Sequence, residues 1–189
     1  MEDIDFMEEE KNSVRSFAAA VREWVVYFIV VIGISFLIVT FVGQRTIVDG
    51  MSMYNTLTDQ DNLIVDKISY RFHDPERFDI VVFRYQNERD TLFIKRIIGL
   101  PGETVQISGD DIYIDGELLE EDYGFEPILD EGRAIEPITL GEDEFFVLGD
   151  NRNDSLDSRE ASVGNVDRDW IIGRAWVRIL PFSDFGFVK

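Results

Sequence analysis

Eighteen consecutive residues, Val25–Val42 (VVYFIVVIGISFLIVTFV), carry no charge, and their only polar side chains are Tyr27, Ser35 and Thr40. As a helix this run is ~27 Å long, close to the hydrocarbon thickness of a bilayer. A buried core helix is rarely this long and uniformly apolar. Its β-branched residues are poor helix formers in water, but in lipid the need to satisfy every backbone group overrides that preference. Trp24 and Tyr27 suit one membrane interface and Arg45 the other. A cleavable export signal has a shorter apolar core followed by small residues. Here Gly43-Gln44-Arg45-Thr46 follows, which predicts an uncleaved anchor. Lys11, Arg15 and Arg22 precede the run and Arg45 follows it. The expected topology is therefore residues 1–24 in the cytoplasm, 25–42 across the bilayer and 43–189 outside the cytoplasm.

Composition narrows the function. The 189 residues hold 38 acidic and 18 basic side chains, a formal net charge of −20. Such a chain lacks the basic face a nucleic-acid partner needs, and no nucleic acid is expected. There is no cysteine, so thiol catalysis, disulfides and Cys-ligated metals are excluded. The single histidine, His73, cannot build a multi-histidine zinc site. No metal and no cofactor are expected.

Beyond the anchor, short apolar runs recur at 46–48, 63–65, 80–83, 92–98, 105–107, 112–114, 145–148 and 171–180. Turn residues separate them, among them Asp74-Pro75, Leu100-Pro101-Gly102 and Asp115-Gly116. Residues 105–118 read as a hairpin, and the acidic stretch 120–135 as loop. The prediction is a mainly β protein, a single membrane helix followed by an antiparallel β domain.

Three segments could carry chemistry: 49–57 (DGMSMYNTL), 93–102 (FIKRIIGLPG) and 149–159 (GDNRNDSLDSR). Ser52 follows a short strand and a glycine, where backbone amides can turn toward a substrate carbonyl. An isolated serine in a turn is more often only a turn residue. His73 sits in a charged loop and reads as a surface residue, so a serine nucleophile here needs a lysine or carboxylate base. If 91–98 is a strand, Phe93, Lys95 and Ile97 share a face, and desolvation between them lowers the amine's pKa. The commoner fate of a strand lysine is to snorkel at a sheet edge. The third segment reads either as a solvated loop with Asx turns or as a polar network of Asp–Arg pairs. Its oxygen spacing lacks the central glycine and terminal glutamate of a calcium loop.

Together these residues resemble the bacterial type I signal peptidases, particularly those of Gram-positive species. The resemblance runs from the anchor onward and keeps the motif order: Ser-Met-x-x-Thr-Leu at 52–57, Lys-Arg-x-x-Gly-Leu-Pro-Gly at 95–102, and Gly-Asp-Asn-Arg-x-x-Ser-x-Asp-Ser-Arg at 149–159. It implies a membrane-anchored serine endopeptidase with a Ser-Lys dyad that removes signal peptides from exported preproteins. Ser52 is then the nucleophile and Lys95 the general base. Ser155 matches the hydroxyl that orients the lysine, Asp157 and Arg159 the supporting pair, and Asp150 the start of their loop. Met53 and Ile94 match positions beside the substrate groove. The implied fold is an antiparallel β catalytic core, 43–98 and 144–189, with a small inserted β subdomain at about 99–143.

The implied partners are the lipid bilayer and preproteins with small residues at −1 and −3 of the cleavage site. Asn55 stands where the family usually has proline, and Gly50 where some relatives carry a second oxyanion-hole hydroxyl. The alternative reading is a catalytically impaired relative serving as chaperone or accessory in surface-protein or pilus assembly. Retention of both Ser52 and Lys95 argues against it.

Overall fold

A computed structural model describes residues 20–36 and 43–189. Two compact units divide the chain at Val42 and Gly43. In the first, residues 20–36 are helical, with every side chain exposed. Among the described residues no helix is long and apolar enough to cross a membrane. The run predicted to be an anchor, 25–42, extends through 37–42, which lie outside the described residues.

The second unit is built from antiparallel strands. In chain order they are β1 (Gly43–Ile47), β2 (Asn62–Asp66), β3 (Ile80–Tyr85), β4 (Glu88–Gly99), β5 (Thr104–Ser108), β6 (Asp111–Ile114), β7 (Glu117–Leu118), β8 (Ile138–Thr139), β9 (Glu144–Leu148), β10 (Val166–Asp167), β11 (Ile171–Leu180) and β12 (Gly186–Phe187). Each predicted apolar run falls on or against one of these strands. The larger sheet has the order β1-β2-β11-β3-β4-β9-β10, with β12 added on β11. The smaller sheet, β7-β6-β5-β8, is built from chain between β4 and β9. Residues 105–118 form the expected hairpin, extended by the short β7. The stretch 120–135 has no strand and ends in a 3-10 turn at Gly132–Ile135.

β3 and β9 are apolar without alternation, because the sheet is covered on both sides. One cluster gathers Met53, Leu57, Leu63, Val65, Val82 and Ile94. A second gathers Val81, Phe83, Ile97, Phe145 and Val147. The third joins the two sheets, with Ile98, Phe146 and Leu148 from the larger packed on Val105, Ile107 and Ile112 from the smaller. The smaller sheet therefore shares a core with the larger instead of closing one of its own.

Pairing along β4 is unequal. Glu88 to Arg96 pair with β3, but β9 joins the strand only from Arg96 to Gly99. The half of β4 before Lys95 keeps one free backbone edge, and β1 pairs only with β2. These two edges flank the groove described next.

Candidate active site

Lys95 and Arg96 are consecutive on β4 and point to opposite faces. Lys95 is 4% exposed. Its Nζ lies 5.1 Å from the Phe93 ring centroid, on the face that also carries Ile97. The amine donates to Ser52 Oγ at 2.7 Å and to the carbonyl of Ile94 at 3.1 Å. Burial pushes the Lys95 ammonium down from 10.5 to about 8, against the opposing pull of the Asp157 and Asp150 carboxylates. Neither carboxylate pairs with Nζ, so desolvation prevails.

Ser52 sits in a tight turn. The Tyr54 amide donates to the Met51 carbonyl at 3.0 Å and the Leu57 amide to Met53 at 2.8 Å. Met53 and Leu57 are core residues and anchor the turn from below, while Asn55 is exposed. Gly50 has φ +94°, a conformation that a side chain disfavours, and its amide donates to Asp59 Oδ1 at 2.9 Å. The third segment holds the turn from the other side. The Asn151 amide donates to the Ser52 carbonyl at 3.0 Å, and Asn151 Nδ2 donates to the Met51 carbonyl at 3.2 Å. This approach requires Gly149, since a Cβ there would collide with Ser155 Oγ and the Ser52 carbonyl.

Arg96 is fully buried. Its guanidinium forms two bonds to Asp150, at 2.8 and 2.7 Å, and a third to the Phe78 carbonyl at 2.9 Å. Thr56 Oγ1 donates to the same carboxylate at 2.6 Å, so the turn that holds Ser52 is tied to this pair. Tyr123 covers the guanidinium at 3.7 Å. Asp157 accepts two bonds from Arg159, both at 2.9 Å, and the Gly149 amide at 3.1 Å. A removed partner in either pair would strand a buried charge, which makes the loop rigid.

Ser52 and Lys95 thus meet, with Asp157, Arg159 and Asp150 in the pairs behind them. Met53 and Ile94 line a groove of about 480 Å³ beside Ser52 and Lys95. Its walls are Thr46–Asp49 and Asp90–Lys95, the two free strand edges. Ser155 Oγ is buried near the Ser52 carbonyl and, among the described residues, makes no hydrogen bond to Lys95 or any other group. His73 is exposed, as expected. Sequence reasoning missed Thr56, Arg96, Tyr123 and Asn151 as parts of the scaffold. The signal for Arg96 was present, a second cation beside Lys95 inside the apolar run 92–98. Among the described residues no group of acidic or histidine side chains could hold a metal ion.

Comparison with known proteins shows which family the chain resembles. The family model described as "Signal peptidase, peptidase S26" matches residues 21–180. A probable signal peptidase I-2 of Synechocystis sp. is 42% identical over 79% of this chain and 68% of its own length. The signal peptidase I of Leptolyngbya laminosa is 46% identical over 78% of this chain and 73% of that one. That of Bacillus amyloliquefaciens is 35% identical over 96% of this chain and 98% of its own.

Proposed function

The chain belongs to the signal peptidase family, peptidase S26, with the serine-protease activity of a signal peptidase I, and we propose that it cleaves signal peptides with Ser52 as nucleophile and Lys95 as general base. The observation that carries this reading is the 2.7 Å contact between Lys95 Nζ and Ser52 Oγ at a lysine 4% exposed. With the amine near 8, about a tenth is neutral at pH 7. In that form the hydrogen bond reverses and Ser52 Oγ–H donates to the lone pair of Nζ. Attack of Oγ on the scissile carbonyl sends the proton to Lys95. Lys95 then returns it to the leaving amine, and water hydrolyses the acyl-enzyme by the same relay. The Ser52 amide is an oxyanion donor, and Gly50 supplies no hydroxyl.

The groove supports an extended substrate. The free edges of β1 and β4 offer backbone hydrogen bonds to a strand laid between them. Small residues at −1 and −3 suit shallow pockets over Met53 and Ile94. Ser155, buried near the Ser52 carbonyl, is assigned the role of steadying the neutral amine, and Asp150, Asp157 and Arg159 that of holding the loop. The span 99–143 is assigned as an insert in a core of 43–98 and 144–189.

The anchor completes the proposal. Helix 20–36 is apolar around its circumference from Val25 onward, and the uncharged sequence continues to Val42. A single pass over 25–42, with the amino terminus cytoplasmic, would set the groove where preproteins emerge from the bilayer. The accessory or chaperone reading is not favoured, since its one sequence argument, Asn55, concerns an exposed residue. The test is a preprotein incubated with the detergent-solubilised chain. Ser52→Ala should abolish processing while leaving the fold intact by circular dichroism. Processing by a folded Ser52→Ala protein would overturn the dyad.

A further inference from the structure

One apolar side chain at the groove has no assigned part. Leu156 is 43% exposed and lines the groove together with the two strand edges, Ser52 and Lys95. It is the one residue that the third segment contributes to that lining. Its position is fixed by its neighbours. Ser155 packs against Gly149 and the Ser52 carbonyl, and Asp157 is held by Arg159 and the Gly149 amide. A large exposed aliphatic on so rigid a loop is costly to solvate, and it gains contact area when a chain passes over it.

The groove gives that chain a direction. On β4 it runs from Lys95 back to Asp90, five residues and ~17 Å away from the dyad. Resting on the dyad reading, the acyl side of the substrate fills this length, where small side chains are selected. The chain beyond the scissile bond must then leave at the dyad end, past Leu156. We propose that Leu156 is a specificity-determining residue that contacts the first residue of the mature protein, on the leaving-group side of the scissile bond.

The test uses the full chain in detergent and peptides that share one acyl part but carry lysine or glutamate at +1. The readout is the ratio of kcat/KM for the two peptides, in which any general loss of activity cancels. Leu156→Glu should raise the lysine-to-glutamate ratio and Leu156→Lys should lower it, each by about three-fold or more, as exposed charge pairs allow. Moving the lysine or glutamate to −2 should remove the effect. Should both variants misfold, Leu156→Ala with tryptophan against alanine at +1 decides instead, the ratio rising as room is made. A ratio unchanged by these variants, or one that follows the −2 residue, overturns the assignment. Ser52→Ala in the same panel separates the two readings. If it is inactive while the ratios stay fixed, Leu156 alone is wrongly assigned; if it is active, the dyad itself is.

Discussion

Lys95 and Arg96 are adjacent in sequence and equally hidden from water, yet their surroundings treat the two cations oppositely. On the Arg96 face two bonds to Asp150 and one to a backbone carbonyl replace the lost hydration. On the Lys95 face the amine meets a serine hydroxyl, one carbonyl and a phenyl ring, with no carboxylate bonded to it. Burial without pairing lowers an amine's pKa, whereas burial with pairing preserves charge and adds rigidity. One face of β4 is therefore suited to chemistry and the other to holding that chemistry in place. The contrast also accounts for residue type, because a guanidinium stays protonated in either setting and a lysine does not.

The largest effect expected is on activity. Lys95→Arg keeps the charge and loses the base, so kcat should fall by about four orders of magnitude, as when a member of a catalytic triad is removed. Peptide cleavage by the purified variant measures this. Near-normal turnover would erase the difference between the two faces.

The next effect is on stability and belongs to the Arg96 face. Asp150→Asn leaves the guanidinium buried without its counter-charge and should cost about 3–5 kcal/mol in urea unfolding. Lys95→Met should do the reverse. It removes a poorly compensated cation and should gain about 1–3 kcal/mol at pH 7 while abolishing cleavage. The sign follows from protonation. The unfolded lysine holds its proton to about 10.5 and the folded one only to about 8, so between these values the unfolded state binds more protons. Stability of the unsubstituted protein then rises with pH across that window, and the advantage of Lys95→Met fades through it. A destabilised Lys95→Met protein would mean that the amine is paired after all.

Much of this arrangement is legible in the sequence, for definable reasons. The strands around 80–85, 92–98, 145–148 and 171–180 are long apolar runs bounded by turn residues. β8, β10 and β12 have two residues each and show no alternation to detect. Phe93, Lys95 and Ile97 share a face simply because a strand has period two. The meeting of Lys95 with Ser52, 43 residues away, is a tertiary fact that only family resemblance anticipates. The Arg96–Asp150 pair, 54 residues apart, lies within the same motifs but is not foreseeable from them, since a lone arginine does not name its partner. Ser155 differs in another way. The resemblance makes it the hydroxyl that orients Lys95, and in the structure that hydroxyl is buried nearby without a bond.

The central claim, that β4 carries one cation that surrenders its proton beside one that keeps it, can be measured directly. The chain contains four lysines, Lys11, Lys67, Lys95 and Lys189. With all four labelled at Cε, an NMR pH titration of the full-length protein in detergent should show one signal moving near pH 8, absent in Lys95→Arg. If the signal that Lys95→Arg removes moves instead near the ~10.4 of a free lysine, the Lys95 ammonium is not desolvated, and the general-base role assigned to it fails.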